Sequence, residues 1–426
     1  MPEFEPLDTD ERPVVAGPES ELPGLPGRRW PWQLGMIGLL LAAGTMVILQ
    51  RSPDSDQPSR TPTAPVSPKP TVTQPPLPTV ESPTRLVLRP VTLDLPGVVS
   101  RFDVAPDGYA VVVSDECPGL PKCRAALATS RDGEHWTRRR LPPGLADGPD
   151  VRSLGAGVLV IDQLPDRRWR SRDGGRTWRQ VPVTAAPAAP DASSGALVVT
   201  DRLGSGALSC SGRHLAVVRR DDGRTAPLRH PPSGIRPCQA LPYPDMTGRM
   251  WVGGVARVSD RPQVAVSYDT GATWRTWSLP GFRGDADQVW LSVAGTDVYA
   301  IVFGPIHESA ESFGVLAIFW YDGHRWRQTS RYEGPAREVN RVIACPNGML
   351  LAVQQLLELG DRQHQMVSFD RGHTWAVTDG PVLITNTTPP NALPDLAYYG
   401  RSYLPRGLQG LARSTDCRTW RTLGVR

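Results

Sequence analysis

Beyond residue 84 the chain alternates short apolar runs with clusters of Gly, Pro, Asp and Ser, and no segment spaces its apolar positions at a helical period. Leu86–Leu88, Tyr109–Val113, Gly157–Ile161, Gln263–Ser267, Val298–Phe303, Leu316–Trp320 and Met349–Gln354 each read as a strand bounded by turn residues. This pattern predicts an all-β domain over residues 84–426. The pattern upstream differs in kind. Residues 34–49 carry no charge, residues 51–83 hold ten prolines among many Ser and Thr, and residues 1–29 are polar, acidic and without periodicity.

The uncharged run becomes a span of 21 residues when Trp30–Gln33 and Gln50 are included, which suits a hydrocarbon core of roughly 30 Å. Trp30 and Trp32 fit one headgroup layer, and Arg28 with Arg29 outweighs Arg51 across the span. The expectation is a single-pass cell-membrane protein held in the bilayer through residues 30–50. Its acidic tail, 1–29, is disordered and cytoplasmic, and its C-terminal part is extracytoplasmic. A cleaved signal peptide is the alternative, although the leader is long and acidic and no small-x-small cleavage site follows. Residues 51–83 form a Pro/Ser/Thr-rich stalk with too few apolar residues to build a core.

Charge is uneven along the chain. Residues 1–29 have seven acids against three arginines, leaving 41 Lys and Arg against 33 acids in residues 84–426. No basic block is interleaved with stacking aromatics, so nucleic acid is not an expected partner. Six cysteines, Cys117, Cys123, Cys210, Cys238, Cys345 and Cys417, all lie beyond the span; their even number suits disulfides in an oxidising compartment. Chain order suggests Cys117–Cys123, Cys210–Cys238 and Cys345–Cys417. Without a CxxC pair or an EF-hand loop, no metal is expected, and no cofactor motif occurs.

A repeated turn organises the domain. Ser171–Trp178, Ser267–Trp274 and Ser368–Trp375 share the pattern Ser-x-Asp-x-Gly-x-Thr-Trp. Shorter copies are Ser130–Trp136, Trp320–Trp326 and Ser414–Trp420, and Arg219–Ala226 is a decayed one. The anchoring aspartates are Asp132, Asp173, Asp221, Asp269, Asp322, Asp370 and Asp416, separated by 41, 48, 48, 53, 48 and 46 residues, the length of a four-stranded unit. Each aspartate can accept backbone N–H groups of its own turn, glycine permits positive φ, and Trp136, Trp178, Trp274, Trp326, Trp375 and Trp420 supply apolar bodies to bury between sheets. These residues read as scaffold.

The pattern resembles the Asp-box, or BNR, repeat of sialidases, sortilin-type receptors, photosystem II assembly factors and exported bacterial propellers. Over residues 100–426 that resemblance implies a β-propeller with the box joining the third and fourth strands of each blade, at the outer rim. Seven boxes imply seven blades, with six or eight left open, and residues 85–93 are expected to close the ring against the last blade.

The resemblance raises two functions. A sialidase-like glycoside hydrolase needs three arginines, a tyrosine nucleophile with a glutamate, and an acid/base carboxylate. Tyr332 and Glu333, with Arg337 and Arg341 nearby, are the local echo, but neighbouring residues on a strand face opposite ways, and Arg89-Pro90 only approximates the family's Arg-Ile-Pro motif. The favoured reading is a binding module for a protein, peptide or cell-envelope glycan at the propeller mouth, active in envelope assembly. Its expected contacts lie on the long segments 182–196, 231–249, 280–289, 304–314, 331–341 and 384–403: Glu308, Glu311, Tyr332, Glu333, Arg337, Asn340, Tyr398 and Tyr399. Oligomeric state is left open.

Overall fold

A computed structural model describes residues 87–425 apart from 94, 96, 116–124, 143, 146–148, 164–166, 202–209, 306–312, 332–337, 357–361, 379–382, 385–397 and 404–408. The tail, the apolar run, the stalk and the pair Cys117 and Cys123 lie outside the described residues. Among those described, no helix is long and apolar enough to cross a membrane. Apart from a 3-10 turn at Pro346–Gly348, the regular elements among the described residues are strands.

After β1 (Val87–Leu93) the chain folds as a series of antiparallel meanders. The first sheet holds β2 (Val98–Val104), β3 (Ala110–Asp115), β4 (Ala125–Ser130) and β5 (Thr137–Arg139). The second holds β6 (Asp150–Ser153), β7 (Leu159–Gln163), β8 (Arg167–Ser171) and β9 (Arg179–Val181). The third has only β10 (Gly195–Asp201), β11 (Arg213–Arg219) and β12 (Thr225–Pro227). The fourth contains β13 (Ile235–Ala240), β14 (Met250–Ala256), β15 (Pro262–Ser267) and β16 (Arg275–Ser278). The fifth contains β17 (Gln288–Ala294), β18 (Asp297–Pro305), β19 (Phe313–Tyr321) and β20 (Trp326–Arg331). The sixth is β21 (Glu338–Ala344), β22 (Leu350–Leu356), β23 (Arg362–Ser368) and β24 (Ala376–Val377). The last is β25 (Leu383–Ile384), β26 (Tyr398–Tyr403), β27 (Gln409–Ser414) and β28 (Thr419–Val425), with β1 beyond β28 as a fifth, parallel strand.

The segment 231–249, expected as a loop, contains β13. Pro237 and Cys238 mask the strand in the sequence; the register shifts between Pro237 and Gln239, so Cys238 occupies a bulge where the ladder is already interrupted. Residues 331–341 run into β21 and 384–403 into β26, which places Asn340, Tyr398 and Tyr399 in strands. Asn340 is itself a bulge position, between Val339 and Arg341. Three tyrosines in the six residues Tyr398–Tyr403 favour a strand over a loop.

Each sheet is joined to its neighbours. The Ser153 N–H of β6 donates to Asp103 of β2 at 2.7 Å, the Leu291 N–H of β17 to Gln239 of β13, and the Ala344 N–H of β21 to the Ser292 hydroxyl of β17 at 2.8 Å. First strands are thus stitched side chain to backbone. A Cys210–Cys238 disulfide links the third and fourth sheets, and Cys345–Cys417 links the sixth and last. The last sheet returns to the first where β27 packs against β2 and Arg413 meets Glu134 at 3.0 Å. A closed succession of radial meanders, with its sheet faces packed on one another, is a β-propeller.

Every Asp-to-Trp turn connects the third and fourth strands of its meander, or β11 and β12 in the third sheet. In Ser171–Trp178, Asp173 accepts the Thr177 N–H at 2.9 Å, the Thr177 hydroxyl at 2.7 Å and the Ser171 hydroxyl at 2.8 Å, while the Ser171 oxygen accepts the Gly175 N–H at 2.8 Å. Asp269 and Asp370 repeat the set. Gly175, Gly271 and Gly372 adopt φ of 80°, 96° and 93°, the left-handed conformation that this closure requires. Asp132, Asp322 and Asp416 accept N–H groups of their shorter turns at 2.8 Å. The decayed third copy differs. With no serine to align it, Asp221 is held by Arg219 at 2.6 Å, and the Arg224 N–H goes to Asp222.

The tryptophans divide. Trp326 and Trp420 are buried, whereas Trp136, Trp178, Trp274 and Trp375 are only partly so. The indole N–H of Trp136, Trp274 and Trp375 donates to the carbonyl of Gly133, Gly271 and Gly372 in the same turn, which lays the ring across the turn. Trp178 instead reaches the Arg140 carbonyl of the preceding sheet at 2.9 Å.

Candidate binding edge at the propeller axis

Among the described residues the third sheet has no first strand. Its turn lies between β11 and β12, so β10, β11 and β12 fill the second, third and fourth positions, and β10 forms the axial edge. The residues that would have made a first strand are used elsewhere. Ala186 and Ala189 donate to the carbonyls of Thr225 and Pro227 at 2.9 and 2.8 Å, and Ala189 bridges Leu228 in parallel, covering the outer edge of β12. Prolines at 182, 187 and 190 supply no N–H for a central ladder, while buried alanines lie flat against the sheet.

Neighbours close part of the vacancy. The chain after β13 brings the Pro242 carbonyl to the Leu197 N–H at 2.9 Å. Tyr243 then inserts between sheets and donates its hydroxyl to the Ser153 carbonyl at 2.6 Å, so the axial elements of the second and fourth sheets meet past the third. The Cys210–Cys238 disulfide ties the start of β11 to β13, and Arg213 donates to the Cys238 carbonyl at 3.2 Å. Toward Asp201, no described strand pairs with the axial side of β10. Residue alternation turns the Val199 N–H and C=O the same way as those of Leu197, toward the axis.

Charged groups border this edge. Val151 and Ser153 face the first sheet, which turns Asp150, Arg152 and Leu154 toward β10; Leu154 packs with Ala196 and Val198. Arg152 meets Asp150 at 3.3 Å, and Asp162 on β7 is held by Arg168, which also reaches Thr225. Burial opposes the charge of Arg152, but Asp150, Asp103 and Asp162 outweigh it and hold its pKa above the ordinary value. Thr200 and His214 sit opposite each other on β10 and β11, with Oγ1 and Nε2 2.7 Å apart. Burial also keeps the Tyr243 phenol un-ionised far beyond its usual range.

Asp103, on the other face of β6, is pushed up to about 6 by burial, against the Ser153 N–H and the Arg152 charge. A carboxyl raised in the folded state binds more protons there than in the unfolded chain, whose value is about 3.9. Its contribution is therefore present below about pH 4 and lost as pH rises through about 6. The melting temperature should fall across that window, and Asp103→Asn should flatten the fall; an unchanged slope would remove Asp103 as its source.

Of the residues expected at the mouth from sequence, Glu308, Glu311, Tyr332, Glu333 and Arg337 lie outside the described residues. The strands flanking them, β18 with β19 and β20 with β21, end away from the Asp-to-Trp turns. The axial edge of β10 is not among the contacts expected from sequence. Its only sequence signal is the run Ala185-Ala-Pro-Ala-Ala-Pro190, where a first strand is due. Among the described residues no three His, Cys, Asp or Glu side chains are grouped to hold a metal.

No family model matches the sequence, and no curated protein matches it. Solved structures do align. YCF48 bound to D1 peptide aligns at 15% identity over 80% of this chain and 88% of its own, with TM-score 0.32. The β-propeller domain of the trilobed protease from Pyrococcus furiosus aligns at 7% over 77% and 97%, with TM-score 0.43. A GH74 xyloglucanase from Xanthomonas campestris aligns at 18% over 77% of this chain but only 47% of its own length, with TM-score 0.35. Similarity at this level assigns no ligand or reaction; the sheet order and the bonds between neighbouring sheets make the chain a β-propeller.

Proposed function

We propose that the chain is a single-pass membrane protein whose seven-bladed, Asp-box propeller stands outside the cell on a Pro-rich stalk and binds an extended segment of a partner protein. The segment adds as a strand to the axial edge of β10. The observation that carries this reading is the three-stranded third sheet, the only described sheet without a first strand, which leaves a strand edge at the axis. Strand edges recruit extended peptides through backbone hydrogen bonds, and flanking side chains then select sequence. Arg152 and Asp150 on one side and the Thr200–His214 pair on the edge itself supply that selection. The fixed sheets hold the edge in place, so little ordering of the receptor accompanies binding.

The test uses full-length protein in detergent. Peptides selected from a random library are measured by fluorescence anisotropy against wild type and Val199→Pro. Proline removes an N–H that faces away from β11, so the sheet retains its own ladder. Binding lost in Val199→Pro, with the wild-type Val199 amide protected from hydrogen exchange by peptide, is the expected result. Equal affinity for both proteins sinks strand addition. Hydrolysis of a sialoside by the wild type would instead favour the glycoside hydrolase alternative. Reporter fusions at the two termini test the orientation.

A further inference from the structure

The variable second residue of the repeated turn is Arg131, Arg172 and Arg220 in the first three copies, and Tyr268, Tyr321, Phe369 and Thr415 in the rest. Basic residues are thereby gathered on one arc of the turn-bearing face. Two clefts open there, one of about 550 Å³ between the first and second turns and one of about 430 Å³ between the second and third. Arg172 lines both.

We propose that these clefts form a second binding site, for a phosphate-bearing linear polymer that runs across Arg172 from one cleft to the other. It lies on the turn face rather than along the axial edge and is independent of the peptide reading.

The smaller cleft brings together Arg170, Arg172, Arg179 and Arg224. Its two carboxylates are occupied: Arg219 grips Asp221 through two nitrogens at 3.1 and 2.6 Å, and Asp222 caps the Arg224 N–H at 2.9 Å. Arg170 and Arg172 each give one N–H to a carbonyl of the third sheet, Arg220 and Asp221 respectively, which holds both guanidinium groups across the cleft. Arg224 is fixed from the other side, by the Ala185 carbonyl at 3.0 Å. The Nε–H groups of Arg170 and Arg224 are buried with no acceptor among the described residues. Buried donors without acceptors are costly, and an anion in the cleft that these two side chains line would offset that cost through their guanidinium charge. Burial and the neighbouring Arg172 charge both depress the pKa of Arg170, and an anion relieves the repulsion.

The larger cleft repeats the arrangement with Arg131, Arg139, Arg172 and Arg176, while Asp132 and Asp173 are committed to their own turns. Four arginines lining one cleft carry more donors than the two oxygens of a carboxylate accept. A phosphate, with its tetrahedral oxygens, matches them better. Two such spaces sharing one arginine suit successive phosphates on one chain.

The test titrates full-length protein in detergent with fluorescein-labelled linear polyphosphate, with polyglutamate of equal charge as comparator. Arg172→Gln with Arg179→Gln should weaken polyphosphate binding at least about ten-fold and lower its salt dependence. Arg179→Gln alone should weaken it measurably; this exposed side chain has no hydrogen-bond partner among the described residues, so its loss does not report unfolding. Arg283→Gln, an exposed arginine outside both clefts, should bind as wild type. Absence of saturable binding, equal affinity of wild type and double variant, or polyglutamate binding as tightly as polyphosphate would each overturn the proposal.

Discussion

Replacing Trp251 with alanine is expected to destabilise the folded domain by about 3–5 kcal/mol, the cost of deleting a large, fully enclosed side chain. Trp251 is fully buried. Its ring lies edge-on to Tyr321 and Trp326, with centroids 5.3 and 5.9 Å away, and Arg249 stacks 5.1 Å above it. Its indole N–H donates to Asp245 at 2.8 Å. That carboxylate keeps Arg249 and Thr247 after the substitution, so the loss comes mainly from the cavity rather than from an orphaned charge. The shift of the urea midpoint measures it. Trp178→Ala and Trp375→Ala should cost clearly less, because both rings are partly exposed. Equal losses at all three positions would show that burial does not rank these tryptophans.

A loss of similar size is expected when Cys345 and Cys417 are both changed to alanine. The bond closes a loop of 72 residues, and the chain-entropy estimate for that length is about 4 kcal/mol. Both cysteines are fully buried beside Trp420, so the substitution also removes packing between the sixth and last sheets. Cys210–Cys238 closes 28 residues and should contribute somewhat less, about 3.5 kcal/mol by the same estimate. Melting each variant with and without reductant separates the two bonds. If either cysteine-to-alanine pair melts at the wild-type temperature without reductant, that bond has no such stabilising role.

The scaffold is largely legible in the sequence. Aspartate, glycine, threonine and tryptophan at fixed offsets describe a local turn, whose hydrogen bonds close within eight residues, so the residues themselves carry the information. Spacing of the copies then reports one meander each. The axial site is not legible, for the opposite reason. Asp103, Gln239 and Ser292 are ordinary polar residues in strands, and their backbone partners lie about 50 residues away in the next sheet. Nothing local distinguishes them. The missing first strand leaves only a negative sign, an Ala-Pro run without alternation, which reads as a loop. The decayed copy misleads for a third reason. Its aspartate sits at the right offset, but Arg219 replaces the serine that would orient it, and Asp222 takes the Arg224 N–H.

The parallel pairing of β1 with β28 has a mechanical meaning. Seven residue pairs, from Val87 opposite Thr419 to Leu93 opposite Val425, lie in register. Tension applied along the strand through the residues before Val87 would load these hydrogen bonds together, in shear. An antiparallel hairpin pulled at its open end would release them one after another, like a zipper. Loaded in that direction, the seam of the ring would resist as one set of bonds rather than as seven taken singly.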